Sequence, residues 1–480
     1  MAIFPGSQST GIAAFVLMAF CRFGTAAEAP VREAAAAPLF NVRDFGAVGD
    51  GVALDTAALN AALAACGKAG GGQVLVPPGR YLSGTLHLRS HLRLHLAAGA
   101  VLLGTTNLND YQPPEIPSFM PEAKWGNWHR GLIVGESVED VAISGEGVIN
   151  GNKVFDPKGE EHMRGPHAII FVNCRNFTLR DVSIVDAANY AMFFQASDDV
   201  EIRNVKFTGG WDGVHFRGAP DRWCHNINII GCQFYTGDDS IAGRYWDNVV
   251  ISGCVINSSC NGIRLIGPAK GLIVQSCLFY GPGQHPHRSS NRTNMLSGII
   301  LQPGAWDATR GPLDEVLLAD NTMRDVASPV TIWTKPGNPV DRVTISGLNA
   351  TGVYRAALSV ESWSDLPITN VVIRNAQIEF TGAGKPVGSL GAPRVDARPL
   401  PAWGIYARNV ENLTLEDVRL SLAADDPRPV IQAENVAKLN LDNVRFTHVS
   451  DVTEPLVLTN VAHLATRDTE LGAKKRAEAR

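Results

Sequence analysis

An eight-residue unit with apolar residues at positions one, three, six and eight recurs through this chain. It reads FTLRDVSI from 177, VEIRNVKF from 200, INIIGCQF from 227, VVISGCVI from 249 and LIVQSCLF from 272. It returns as VLLADNTM from 316, VTISGLNA from 343, VVIRNAQI from 371, LTLEDVRL from 413 and LNLDNVRF from 439. Successive starts lie 22 to 28 residues apart, except for steps of 44 and 42. Each of those steps is either two units or one unit with a long loop. Alternation of apolar and polar residues places them on opposite faces of strands, not on helices. A repeat of this length with no crossover helices predicts a β-solenoid, in which each coil buries its apolar face only against its neighbours.

Such a stack needs covered ends. The amphipathic run Thr56–Cys66 (TAALNAALAAC), with Asp55 as N-cap, is placed to cap the first coil. Leucine-rich repeats share the period, but their asparagine-anchored pattern is missing. Glycine is frequent, at 47 residues, which suits a turn-rich all-β chain. The formal net charge of −5 argues against a nucleic-acid partner or a polybasic membrane surface.

Residues 1–29 read as a signal peptide. Gly11–Phe20 is an apolar run of h-region length, and Thr25, Ala26 and Ala27 are small residues suited to cleavage. The run is too short for a permanent membrane span. The expected organisation is a β-helix domain over 40–467 followed by a charged tail, 468–480, in a secreted or periplasmic monomer. Of eight cysteines, Cys232, Cys254 and Cys277 share position six of successive units and predict a buried ladder. Cys224 and Cys260 fall outside that register and are the candidates for a disulfide.

Candidate chemistry gathers in Gly209–Gly267. Asp212 precedes Val214 by two residues, as Asp239 precedes Ile241 and Asn261 precedes Ile263. Parallel stacking at about 4.8 Å per rung would set these in a column, with Asp238 beside it. Asp and Gly also fill turns, and on pattern alone both readings stand. One place beyond the first aliphatic come His215, Ala242, Arg264 and Ile300, and two further come Arg217, Arg244, Ile266 and Gln302. Two insertions, Gly281–Met295 and Thr381–Trp403, interrupt the repeat; long loops on a solenoid usually line its binding face. The first carries His285 and His287. Tyr245, Trp246 and Trp306 fall near the same face.

The opening FGAVGDG, with the later GGGQVLVPPGRYLSGTL, resembles the start of pectate-lyase-like β-helix proteins. WDG (211–213), GDDSIA (237–242) and NG (261–262) resemble the polygalacturonases, glycoside hydrolase family 28. The resemblance runs from about Asn41 to at least Lys335. It implies an all-β fold, a single-stranded right-handed parallel β-helix with an N-terminal capping helix. It also implies hydrolysis of O-glycosidic bonds in a pectin-like polysaccharide or oligosaccharide, with inversion and without a metal or cofactor. By position Asp238 is implied as the general acid, with Asp212 and Asp239 activating water. Crowded carboxyls cannot all ionise cheaply, so one keeps its proton near neutrality.

The chain departs from the family where its Gly-His-Gly and Arg-Ile-Lys motifs belong. Asn261 replaces the histidine, and Ile300 and Gln302 stand in for the two cations. Asn261, Arg264, His215, Arg217, Arg244, Gln302 and His287 are therefore the expected substrate-binding set, with the arginines moved to earlier coils. A calcium-dependent polysaccharide lyase and a non-catalytic carbohydrate-binding β-helix are the alternatives.

Overall fold

The computed structural model describes residues 37–115, 130–306, 308–447 and 454–469. The expected signal segment lies outside them, as does all but the start of the charged tail. From Pro38 onward the described chain winds as a right-handed parallel β-helix whose strands pair in register with those one coil away.

The eight-residue unit supplies two of the three sheets. Its first half pairs coil to coil, as in Phe177↔Val200↔Ile227↔Val249↔Leu272, and so does its second half, as in Ile184↔Phe207↔Phe234↔Ile256↔Phe279. Between the halves the chain must turn, and position five does this everywhere. Asp181, Asn204, Gly231, Gly253, Ser276, Asp320, Gly347, Asn375, Asp417 and Asn443 all have φ between 49° and 68°. That left-handed backbone suits Gly, Asn and Asp, and these fill nine of the ten positions. The steps of 44 and 42 resolve as single coils with long loops, because Leu272 pairs directly with Val316 and Val371 with Leu413.

The third sheet, on the front of the solenoid, carries β1 (His167–Val172), β2 (Met192–Gln195), β3 (Val214–Arg217), β4 (Ile241–Arg244) and β5 (Asn261–Leu265). β6 (Ser297–Leu301), β7 (Val330–Thr334) and β8 (Leu358–Ser362) continue it. Its inward side chains stack: Phe171, Phe194 and Phe216 lie 5.5 and 4.5 Å apart at near-parallel angles. Such ring pairs contribute about 0.5–1.5 kcal/mol each beyond the area they bury.

The cysteine ladder forms as expected. Cys232, Cys254 and Cys277 are buried, and each thiol donates to the carbonyl two residues earlier at 3.5, 3.5 and 3.2 Å. The expected Cys224–Cys260 bridge does not form; both are free. Cys224 packs into the interior core, whereas Cys260 faces outward beside Arg292, so the two thiols point to opposite sides of the sheet wall.

The helix α1 (Thr56–Lys68) runs two residues beyond its expected end and turns Leu59, Ala62, Leu63 and Cys66 onto the first coil. Asp55 occupies the N-cap position, but its carboxylate makes no cap bond. It instead accepts from Val48 N (2.7 Å) and Gly49 N (3.0 Å), fastening the preceding loop.

Candidate active site

The register brings the predicted column together. β3, β4 and β5 align Val214↔Ile241↔Ile263 and His215↔Ala242↔Arg264, so Asp212, Asp239 and Asn261 enter adjacent rungs. Outside these rungs lies a cavity of about 540 Å³. Asp212, Asp238, His215, Arg217, Arg264 and His287 line it. Asp239, Asn261, Arg244 and Gln302 do not.

Asn261 is wholly buried and serves Asp239. Its backbone N and its Nδ2 both donate to Asp239 Oδ1, at 3.1 and 2.9 Å. It is therefore a positioning group for a carboxylate, not a wall residue open to a ligand. Gln302 is also wholly buried, with both amide atoms lacking a partner. Arg244 is buried outside the cavity lining, and burial and the charge of Arg217 bring its pKa down to about 10. Trp306, half exposed, borders the cavity, whereas Trp246 is sealed inside and donates to Phe216 O at 3.2 Å. Tyr245 is also buried, edge-on to Trp223.

The wall is completed by residues outside the repeats. Arg164, from the segment between Val148–Asn150 and β1, places Nη2 2.9 Å from Asp238 Oδ2 and 2.7 Å from Glu161 Oε1. Its guanidinium lies 3.7 Å from the centre of the Trp211 ring. His287 has Ser289 Oγ (3.2 Å) and Ser290 Oγ (3.0 Å) at Nδ1, and its Nε2 faces Asp238 Oδ2 at 3.5 Å. Arg264 sits between Asp239 Oδ2 (3.3 Å) and Asp396, a residue of the second insertion. Glu160, Tyr190 and Arg292 also line the cavity. The sequence signals for these residues were the charged run EEHMR (160–164), a break in the repeat, and the two insertions themselves.

The three aspartates are buried within one charge cluster and differ in state. Burial opposes the charge of Asp238, but the hydrogen bond from His287 and the charge of Arg164 outweigh it and hold the carboxyl far below the usual range. Burial, then the charges of Asp238 and Asp239, push Asp212 well above that range. Asp239 is also raised by burial, with Arg264 pulling the other way. These shifts favour a retained proton on the Asp212 and Asp239 side over Asp238, the group that the resemblance implies as acid. The reasons are the hydrogen bond from His287 and the charge of Arg164, which the spacing of repeats does not reveal. His215 is kept neutral by burial and by Arg217. Its Nδ1–H donates to Asp212 Oδ2 (2.9 Å), while Nε2 accepts from Arg217 Nε (3.4 Å).

The front sheet is covered on both sides of this opening. Val134, Ile170, Val172, Tyr190 and Phe193 form an apolar cluster over the earlier rungs. Ala356, Ala357, Leu400 and Tyr406 form another over the later ones, beneath the second insertion. Among the described residues, the outward side chains on both sides of the opening are therefore buried.

The sequence family described as "Glycosyl hydrolases family 28" matches residues 66–263. A probable polygalacturonase of Vitis vinifera is 27% identical over 377 residues, covering 72% of this chain and 75% of its own. An exo-poly-alpha-D-galacturonosidase of Dickeya chrysanthemi is 26% identical over 412 residues, covering 72% of this chain and 64% of its own. Among solved structures, an exopolygalacturonase from Thermotoga maritima superposes with a TM-score of 0.59 at 19% identity, covering 78% of this chain and 91% of that one. The family 28 exopolygalacturonase of Yersinia enterocolitica gives 0.56 at 16%, covering 89% and 78%. These structural matches concern the fold.

Proposed function

We propose that the chain, whose residues 66–263 match glycoside hydrolase family 28, is a polygalacturonase-like glycosidase that removes sugars from one end of a pectic chain outside the cell. The observation that carries the end-acting reading is the closure of the front sheet on both sides of the catalytic rungs. A polymer lying along the solenoid would collide with those covered rungs, so only a chain end can enter. The exo-acting relatives accord with this reading.

In the proposed mechanism Asp238 protonates the departing glycosidic oxygen, while Asp212 and Asp239 hold and deprotonate the attacking water, with inversion. Asp212 and Asp238 both reach the cavity, which suits them to opposite sides of one bond. The three carboxyls titrate as one cluster, so its proton belongs to the group. An anionic sugar entering the pocket adds negative charge beside Asp238 and competes for Arg164. Both effects raise the pKa of Asp238 and draw the proton onto it. Asp212 and Asp239, thereby ionised, are ready as base. His215 and Asn261 keep those two carboxylates oriented by the bonds described above.

The test is product analysis on de-esterified homogalacturonan and on rhamnogalacturonan. The expected result is early release of a small saccharide with little loss of viscosity, no unsaturated product by ultraviolet absorbance, and indifference to EDTA. Rapid viscosity loss would refute end-action. EDTA-sensitive ultraviolet absorbance would make the protein a lyase.

A further inference from the structure

The four arginines in the cavity wall are not equivalent. Arg164 is shared among Asp238, Glu161 and Glu160. Arg264 is held between Asp239 and Asp396. Arg217 directs Nε to His215 and lies over the Phe193 ring, 5.4 Å from its centre. Arg292 differs from Arg164 and Arg264, which are bound to carboxylates, and from Arg217, which is buried. The Nε of Arg292 donates to Ser259 O at 3.0 Å and its Nη2 lies 2.9 Å from Cys260 Sγ. Among the described residues it pairs with no carboxylate.

Those two contacts fix the plane of the guanidinium without neutralising it, and Arg292 forms part of the cavity lining. A planar cation held along one edge matches the fork of a carboxylate. The chain needs such a group, because the positions where the family resemblance implies cations hold Ile300 and Gln302, both wholly buried. Arg292 comes from the Gly281–Met295 insertion, five residues beyond the His287 that touches Asp238. The loop thus brings a charge-bearing arm to the same wall as the acid.

We propose that Arg292 is the specificity-determining residue that binds the carboxylate of the sugar in this pocket. The proposal rests on the reading of the substrate as a pectic, uronate-bearing glycan. Arg264, by contrast, is saturated by Asp239 and Asp396 and keeps the catalytic carboxylate in place.

The test compares wild type, Arg292→Gln and Arg292→Lys by calorimetry, using galacturonate oligosaccharides and their methyl esters as probes. Binding is measured in an Asp238→Asn background so that nothing is consumed, and thermal unfolding checks the fold. With Arg292 present the acid should bind about 10–100-fold more tightly than the ester, the scale of one charge-assisted hydrogen-bonded contact. Arg292→Gln should bind acid and ester alike, and Arg292→Lys should recover part of the preference. On turnover, Arg292→Gln should raise KM for the acid with kcat within about threefold. Retention of the acid preference by Arg292→Gln would overturn the proposal, as would an equal loss on both probes. If the protein with Arg292 intact does not prefer the acid, the proposal also fails. An absence of turnover on every pectic substrate would instead remove the wider reading, and the binding comparison would still decide the role of Arg292.

Discussion

Two carboxylates on the outward face of the same sheet are each gripped by an arginine, and only one belongs to a reaction site. Asp238, three residues before β4, has Arg164 at 2.9 Å and lines the cavity. Glu361, in β8, is held by both Nη atoms of Arg398 at 3.2 and 2.7 Å and by Trp363 Nε1 at 2.9 Å. Glu361 is wholly buried beneath the second insertion, with no space in front of it. Burial and an arginine partner are therefore common to both; what separates them is the loop overhead. At the catalytic rungs the loops stand back and leave a pocket, whereas at β8 Thr381–Trp403 closes over the sheet.

This contrast can be broken most sharply at Asp238. Asp238→Asn should lower kcat by about 10²–10⁴-fold, the usual worth of a positioned acid. Its unfolding midpoint should fall less than that of Arg398→Ala, because Arg164 keeps Glu160 and Glu161. A large loss of stability would place Asp238 with Glu361 as a structural anchor.

The complementary change is Arg398→Ala, which strands Glu361 as a buried charge. Breaking such a pair costs about 3–5 kcal/mol. The loss should be visible in urea unfolding, while any surviving folded protein keeps its bond-cleavage chemistry. A change of under 1 kcal/mol would mean that the second insertion is held by other contacts, among them the Asp426–Arg428 pair that reaches Gly384 N and Leu400 O.

A third comparison turns on the sign of a titration. Asp212 has a folded pKa raised above its unfolded value, so the native state binds more protons than the unfolded state between the two. Stability from this group falls as pH rises through that window. Asp212→Asn should therefore be inactive, and its midpoint relative to wild type should climb as the pH is taken upward from about 4. Asp238 has the opposite sign, with stability present above the ordinary carboxylate range and lost as pH falls toward its depressed value. A midpoint difference for Asp212→Asn that is flat with pH would show that Asp212 ionises normally.

The smallest expected effect is at Trp306, which stands half exposed on the rim with Arg264 5.8 Å from its ring centre. Trp306→Ala should raise KM several-fold, matching about 1 kcal/mol of lost ring contact, with kcat little changed. No change in KM would remove it from the binding surface.

Much of this was legible in advance for a physical reason. A solenoid converts sequence period directly into spatial neighbourhood, so ten copies of one pattern suffice to place Asp212, Asp239 and Asn261 on adjacent rungs. The same regularity foretold the cysteine ladder and the capping helix. Position five of the unit, filled almost entirely by Asp, Asn and Gly, also carried its left-handed turn openly. The Cys224–Cys260 bridge failed because register shows which residues lie on neighbouring coils, whereas side-chain direction decides whether sulfurs meet. Arg244 and Gln302 share the outward register yet do not line the cavity, and Asn261 has the parity of the inward Ile263 and Leu265.

What the sequence determined by itself was the repeat: local alternation and turn residues are enough to wind coils and stack them in parallel. What only the tertiary structure decided was the pocket. Arg164, Arg292 and Asp396 reach the cavity from three loops whose paths follow no period. Their charges set which carboxyl ionises and which arginine stays uncommitted. Electrostatic interaction depends on distances of a few ångströms between residues as far apart in sequence as Arg264 and Asp396, and only the folded chain sets those distances.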